Sequence, residues 1–470
     1  MTICKRRLAA KSTVLASALL ALSGGARAAD KELLDILLGN GAITREQYDR
    51  LIQQDTVTRD DLVAAPAAAA PPAQAAAPAA EDKSATGGYS SSGLRFESRD
   101  GNWGTELQWR AQLRASTPFD SDPRRLSDFA ADDVTNFEAR RLRMKIGGHG
   151  FQPWLEYYFE VDLQPARDVD DSSSAASARV IDWRADIAKW DWGGIRVGQW
   201  KVDLNRERVD SSGRQQFVER SIVNDIFTID RQVGIQVRGR AFKDTHADLR
   251  YWAGVFNGEG RGVRNTDDGM MYMGRVQWNF LGRDLAWRQT DVEYTDKPTG
   301  SLALAAFTNT GPCTRWSSSG CGNLDGFESP AVAAPDQFET QQSVEEFAFK
   351  YRGLSIQQEY HDKSVLDRAT STKYEMTGAY LQSGYFFHHL FDKFPEPLEL
   401  ALRVAQVDAP NPVDRTIENT RKEVTLGANW FFHGHDNKLT LDMSRLTIDD
   451  RLAGLDDTAN RVRFQWDVSF

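Results

Sequence analysis

Apolar and polar residues alternate along most of the chain. Over 106–115, Leu107, Trp109, Ala111, Leu113 and Ala115 share one parity, and Glu106, Gln108, Arg110, Gln112 and Arg114 share the other. Over 155–163, Leu155, Tyr157, Phe159, Val161 and Leu163 alternate with Glu156, Tyr158, Glu160 and Asp162. The last segment is the clearest: Val462, Phe464, Trp466, Val468 and Phe470 against Arg461, Arg463, Gln465, Asp467 and Ser469. A period of two puts such residues on opposite faces of a strand, one face apolar and the other able to line water.

About sixteen strands are predicted, near 107–115, 137–147, 154–163, 180–188, 195–202, 231–241, 246–255, 270–281, 301–309, 344–352, 354–360, 374–385, 397–406, 421–432, 437–447 and 460–470. One such strand fits any antiparallel sheet with one wet face. The number and the connections discriminate. Most are long enough to cross a bilayer at a tilt, which takes roughly 9–11 residues. Long connections (116–136, 164–179, 203–230, 256–269, 310–343, 361–373, 407–420, 448–459) mostly alternate with short ones (148–153, 189–194, 242–245, Gly353, 433–436); 282–300 and 386–396 are longer than that rule expects. Short turns on one side and long loops on the other mark an outer-membrane barrel. The fold class is therefore all-β, an about 16-stranded antiparallel transmembrane β-barrel over 94–470. Lipid tolerates no open sheet edge, so the sheet must close, and sixteen strands leave a lumen wide enough for water. Trp154, Trp190, Trp192, Tyr385, Phe386, Phe387, Trp430 and Phe431 recur near strand ends, as interfacial aromatic girdles do. The terminal Phe470, closing VRFQWDVSF, matches the assembly signal of such barrels and implies barrel assembly machinery as a partner.

The residues before the barrel differ in kind. Residues 1–28 read as a secretory signal peptide: Lys5, Arg6, Arg7 and Lys11, an apolar core over 14–22, and Ala26-Arg27-Ala28 as the cleavage site. Residues 29–62 hold a short helical segment. Leu33, Leu34, Ile36 and Leu37 form an apolar face, Gly39-Asn40-Gly41 breaks it, and Thr44 caps a second turn carrying Tyr48, Leu51 and Ile52. Helices this short bury no core alone, so 31–54 either self-associate, bind a periplasmic partner or form a plain accessory hairpin. Residues 63–93, almost all Ala and Pro over 64–80, read as a semi-extended linker.

Composition alone points elsewhere. The 470 residues are 41% hydrophobic and 26% charged, with formal net charge −10 and mean hydropathy −0.51. No mature segment holds about 18 consecutive apolar residues, so helical membrane spans are excluded. The acidic balance argues against nucleic acid as a partner. Loss of the leader removes five cations and no acid, which takes the charge to −15. Cys313 and Cys321 lie in TGPCTRWSSSGCGNL with no His beside them. In an exported chain that spacing suits a loop disulfide better than a metal site; no metal and no cofactor is expected.

Candidate chemistry centres on 137–147, FEARRLRMKIG. Leu142, Met144 and Ile146 take one face; Arg141, Arg143 and Lys145 take the other, standing roughly 7 Å apart along a lumen wall. Unpaired, they would concentrate anions, and arginine adds planar recognition of phosphate-like oxyanions. Paired with Glu156, Glu160 and Asp162 on the adjacent strand, they would be a charge ladder. The long connection 203–230 carries Arg206, Arg208, Ser211, Ser212, Arg214, Glu219 and Arg220.

The lead LLDILLGNGAITREQYDRL, then FEARRLRMKIGG, IRVGQWKV and DSSGRQQFVERS followed by RQVGIQVRG, resembles the phosphate-selective porin O and P family of Gram-negative outer membranes. The resemblance spans most of the mature chain and is strongest across 137–240. It implies a homotrimer of sixteen-stranded barrels, a third external loop folded inward, and an arginine-rich path to an anion site at the constriction. By position, Arg140 and Arg141 match the paired arginines of that site, and Ser211, Ser212 and Arg220 match the inward loop. Asp186 matches an acidic residue that tunes affinity. Parity puts Arg140 on the apolar face beside Glu138; a bulge would turn it inward. The chain departs from the family pattern at Leu142 and Arg143, where a small or aromatic residue is favoured, and at Val209-Asp210, which precede Ser211 where a cation is expected.

The expectation is a passive outer-membrane channel for small solutes, with a preference for anions such as phosphate or polyphosphate and membrane lipid around it. Two other classes stay open: a structural or adhesive anchor displaying 31–54, and an outer-membrane lipid hydrolase. Against the hydrolase, the seven histidines accompany no G-x-S-x-G elbow, so no enzyme is expected.

Overall fold

The computed structural model describes residues 38–39, 44–45, 47–49, 85–90, 93–119, 121–129, 134–163, 178–266, 268–318 and 320–470. Residues 1–28, read as a signal peptide, and 63–84 of the stretch read as linker lie outside them. Residues 1–81 and 82–470 are separate units. In the first, Thr44 caps a helical turn as expected: its N–H donates to Gln47 Oε1 (2.9 Å) while the Gln47 N–H donates to Thr44 Oγ1 (3.3 Å), a reciprocal capping box.

The second unit is a sheet of strands in this order: β1 (Ala85–Ser90), β2 (Gly93–Ser98), β3 (Gly104–Thr117), β4 (Asn136–Gly150), β5 (Gln152–Asp162), β6 (Arg179–Trp190) and β7 (Gly193–Lys201). Then come β8 (Arg231–Ala241), β9 (Leu249–Phe256), β10 (Met271–Trp278), β11 (Thr299–Gly311), β12 (Arg315–Ser317) and β13 (Gly320–Gly322). The last are β14 (Phe338–Tyr351), β15 (Leu354–Asp367), β16 (Thr372–Tyr385), β17 (Leu398–Pro410), β18 (Glu418–His433), β19 (Asn437–Asp450) and β20 (Leu455–Ser469). β3–β11 and β14–β20 pair antiparallel with their neighbours, and β20 pairs back onto β3, from Val462 opposite Thr117 to Ser469 opposite Arg110. The result is a closed barrel of sixteen strands. Phe470 finishes the seam: its N–H donates to Trp109 O (3.0 Å) and its carbonyl accepts from Trp109 N (2.7 Å). Closure leaves no unpaired edge for lipid to meet.

Burial is inverted relative to a water-soluble domain. On β20 the inward Arg463 is 1% exposed and the outward Phe464 is 44% exposed. Leu302, Leu304, Leu402, Val404, Val424 and Leu426 are likewise exposed on the outside. This is the arrangement the alternation predicts for a wall between lipid and lumen.

The structure differs from the expected elements in two places. First, pairing begins inside the stretch read as linker, where β1 and β2 form a hairpin that joins the edge of β3. β1 is ATGGYS, too short and too glycine-rich to show alternation. Second, three expected long loops shrink to 368–371, 411–417 and 451–454, because β15, β17, β18, β19 and β20 run further than their apolar alternation. In these extensions the alternation loses its sign while the hydrogen-bond ladder continues: outward positions such as Asp362, Asp408 and Asp449 turn polar, and inward Val365, Val407 and Ile448 are apolar and buried. The two connections that broke the rule stay long, at 279–298 and 386–397, on the short-turn rim.

Candidate functional site

The loop 202–230, between β7 and β8, lies inside the barrel. After the four-residue helix α1 (Leu126–Phe129) in the β3–β4 loop, it contains a helical turn, α2 (Arg206–Val209), a 3-10 turn at Ser212–Arg214, and α3 (Ile222–Phe227). An irregular segment buried in a lumen leaves backbone groups to be satisfied. Here the barrel wall satisfies them. Wall carboxylates accept loop N–H groups: Glu346 from Arg206 (2.9 Å), Glu359 from Glu207 (2.6 Å), Asp442 from Val218 (3.0 Å) and Glu423 from Ile222 (3.0 Å). Wall cations donate to loop carbonyls: Arg275 to Leu204 (2.8 Å), Lys438 to Gln215, Arg403 to Glu219 (3.0 Å) and Lys363 to Ile226 (2.9 Å). Ile222, Val223, Ile226 and Phe227 of α3 pack on Phe338, Val365, Met376 and Val407, each side chain adding roughly 1.5–3 kcal/mol on burial.

This seat covers the wall from β10 to β19. The opposite wall, β3 to β8, meets the loop through Arg110, Gln112 and Arg114 of β3 and Lys201 of β7 and is open beside those contacts. Clefts of about 390 Å³ lie along it, one lined by Gln108, Lys145, His149 and Tyr158, another by Asp186, Arg238, Arg240 and Trp252. The residues singled out from sequence gather along this open side.

Arg140 and Arg141 both face the lumen. Gln112 pairs with Arg141 and Leu113 with Ala139, so Arg140 is the extra residue of a β-bulge. The bulge resolves the parity conflict by turning Arg140 off the apolar face. Both arginines reach Glu219 of the inward loop: Arg140 Nε at 3.0 Å, Arg141 Nη2 at 3.0 Å, joined by Arg114 Nη2 at 2.9 Å. Burial would raise the Glu219 carboxyl, but Arg141, Arg114 and Arg140 outweigh it and hold it well below the usual carboxylate range.

Ser211 and Ser212 accept hydrogen bonds from one guanidinium, that of Arg110: Nη1 to Ser211 Oγ at 2.7 Å and Nη2 to Ser212 Oγ at 2.6 Å. Gly213 lets the two approach, since a Cβ there would stand 3.1 Å from Arg110 Cδ and Nη1. Arg220 is positional: it donates to the carbonyls of Glu207 (2.8 Å) and Asp210 (2.7 Å) and holds the loop's own turn. Arg143 pairs with Glu160 (2.8 Å) and Asp162 (3.5 Å). Lys145 donates to Gln108 Oε1 (2.9 Å). Asp186 sits further toward the short-turn rim, where Arg196 Nε (2.7 Å), Arg238 Nη2 (2.8 Å) and Arg184 Nε (3.2 Å) converge on it. Within the inward loop, burial and then the neighbouring Glu359 push the Glu207 carboxyl up to about 7.

Sequence reasoning placed Arg110 and Arg114 on the wet face of β3 but gave them no role. The signal was there, since both alternate with apolar residues opposite the basic strand. Away from the pore wall, Cys313 and Cys321 are disulfide-bonded with Cα atoms 5.6 Å apart. They close the small β12–β13 hairpin, which lays Trp316 against Phe307 inside the barrel.

Comparisons with known proteins agree with this geometry. The anion-selective porin from Comamonas acidovorans superposes with TM-score 0.51 at 11% identity, covering 78% of this chain and 99% of that one. The outer membrane channel DcaP of Acinetobacter baumannii superposes with TM-score 0.50 at 12% identity, covering 81% and 100%. At such identities the likeness concerns the fold. No curated protein shows significant sequence similarity. A family profile described as Phosphate-selective porin O and P matches residues 119–470. With a closed sixteen-stranded barrel, an inward third loop and that match over most of its length, the chain belongs to the phosphate-selective porin O and P family and is an outer-membrane channel.

Proposed function

We propose that this channel is passive and biased toward small anions, with phosphate or polyphosphate as the solute class. One observation carries the reading. Along the open wall, two clusters each bring three arginines onto a central carboxylate, at Glu219 and at Asp186. Near the first cluster, Arg110 and Lys145 have no carboxylate within ion-pair distance among the described residues. A solute moving along this wall meets guanidinium groups still able to donate, although the chain as a whole is acidic. Arg140 and Arg141, with the Ser211 hydroxyl, form the narrow part of that path, and the buried Arg110 backs it by holding Ser211 and Ser212. Lys145 and the Asp186 cluster follow it toward the short-turn rim, while Arg143 is held by its acids. The same reading has the barrel working as a homotrimer, which crosslinking of the detergent-folded protein tests.

Reversal potential in planar bilayers under a salt gradient tests the selectivity. Anions are expected to carry most of the current, and added phosphate should reduce the chloride current. A cation-selective reversal potential would overturn the reading.

A further inference from the structure

On the sealed side of the barrel, a small cavity lies at the long-loop rim, across α3 from the open wall. It measures about 40 Å³ and is lined by Arg124, Arg315 and Arg421, by Asp225 and Asp325, and by apolar groups including Ile226, Leu324 and Phe327. By the usual occupancy rule this holds a few water-sized groups, the size of one tetrahedral oxyanion and too small for a sugar phosphate.

The charges around it do not balance. Arg315 pairs with Asp225. Arg124 pairs with Asp325 (3.5 Å) and more loosely with Asp225 (3.8 Å), and Arg125 adds a second pair to Asp325 (2.8 Å). Both acids are thus shared among these three arginines. Arg421, only 6% exposed, is left over. Among the described residues its guanidinium makes no hydrogen bond and no ion pair, and Nη1 is a fully buried donor without a partner. An arginine cannot shed its charge to relieve this, and a buried charge without a counter-ion is strongly destabilising. The neighbouring inward arginines are all matched: Arg403 by Glu423, Arg463 by Asp442 and Arg461 by Asp122. Arg421 has no ion pair of its own beside the cavity; Asp225, Asp122 and Asp325 act on it only from beyond ion-pair distance.

We propose that Arg421, Arg124 and Arg315 form a binding site for one small tetrahedral oxyanion, sulfate or phosphate. Planar guanidinium groups suit such an ion by geometry as well as charge. Arg421 faces the lumen from β18, so the ion comes from solution and not from a lipid headgroup. The three arginines belong to three chain segments, the β3–β4 loop, the disulfide-closed hairpin and β18, and the cavity also touches α3 through Asp225 and Ile226. The bound ion therefore ties the inward loop to the rim. It is an effector of loop stability and lies off the permeation path.

The test is thermal unfolding of the full chain folded in detergent, in sodium sulfate against sodium gluconate at equal ionic strength. Sulfate is expected to raise the Tm of the wild type saturably. Arg421→Gln should be at least as stable as the wild type in gluconate, because it removes an unmatched charge. Its apparent sulfate affinity should be at least tenfold weaker. Arg141→Ala, at the constriction, should keep the sulfate response. If Arg421→Gln keeps the full response, or the wild type shows none, the proposal is wrong. If Arg421→Gln does not fold, Arg124→Gln, whose side chain is one-third exposed, carries the same test: an unchanged sulfate response overturns the site and a weakened one supports it.

Discussion

The two walls of this barrel use the same residue types for opposite ends. From β14 to β19, inward carboxylates and cations are spent on the backbone of the inward loop. Glu359, Glu399 and Asp442 are wholly buried there. From β3 to β8, inward cations also cluster on carboxylates and several are buried, Arg114, Arg143, Arg196 and Arg231 among them, but others remain partly open: Arg238 is 32% exposed and Arg184 23%. A charge that completes a loop's hydrogen bonds is structural; a charge left facing water is available to a solute. The lesson is that counting lumen charges says little until the loop that hides half of them is in place.

The contrast breaks most visibly at Asp442. It takes two hydrogen bonds from Arg463 (2.9 and 2.8 Å) and one from the Val218 N–H. Asp442→Ala leaves a buried guanidinium and a loop donor unmatched, and should cost about 3–5 kcal/mol in urea unfolding of the detergent-folded protein. Single-channel conductance should rise as the loop loosens. Arg184→Ala on the open wall should cost no more than about 1 kcal/mol. Equal losses at the two sites would erase the distinction between the walls.

A second effect is pH-dependent. Glu207 titrates near 7 in the folded loop, above the ordinary carboxylate value of about 4.3. The folded state therefore binds this proton more tightly than the unfolded chain. Its contribution is fully present at low pH and is lost as pH rises through about 7. Melting curves should show lower stability at pH 8 than at pH 5, and Glu207→Gln should flatten that difference. A slope unchanged by the substitution would place the titration elsewhere.

The disulfide comes next. Replacing Cys313 and Cys321 by Ser should destabilise by roughly 2–3 kcal/mol, the value for so short a loop. In the native chain both thiols should be alkylated only after reduction, read as a mass shift. The smallest change sharpens the open wall itself. Arg141→Ala should leave stability nearly unchanged, since Glu219 keeps Arg114 and Arg140. It should weaken phosphate block of the chloride current on the order of tenfold, the scale of one charge-assisted hydrogen bond. An unchanged block constant would make the basic strand a charge ladder.

Much of the fold was legible in the sequence. Each of the sixteen alternating segments corresponds to a barrel strand, because lipid on one side and water on the other enforce a period of two. Boundaries failed where that contrast ends, as at β15 and β19, whose outer ends turn polar outside (Asp362, Asp449) and apolar inside (Val365, Ile448). The site was legible in part. FEARRLRMKIG announced a basic strand, but the inward turn of Arg140 depends on which residue of β4 is left unpaired opposite Gln112 and Leu113. No local pattern encodes that register.

The sequence by itself determined the barrel, its strand number, the long third loop and the arginine-rich strand, since these follow from periodicity and from runs of neighbouring residues. Tertiary structure alone decided which charges are free. Glu346, Glu359, Glu423 and Asp442 lie far along the chain from the loop they hold. Coulomb and hydrogen-bond interactions act over a few ångströms, and only closing the sheet brings those strands within that range of the loop.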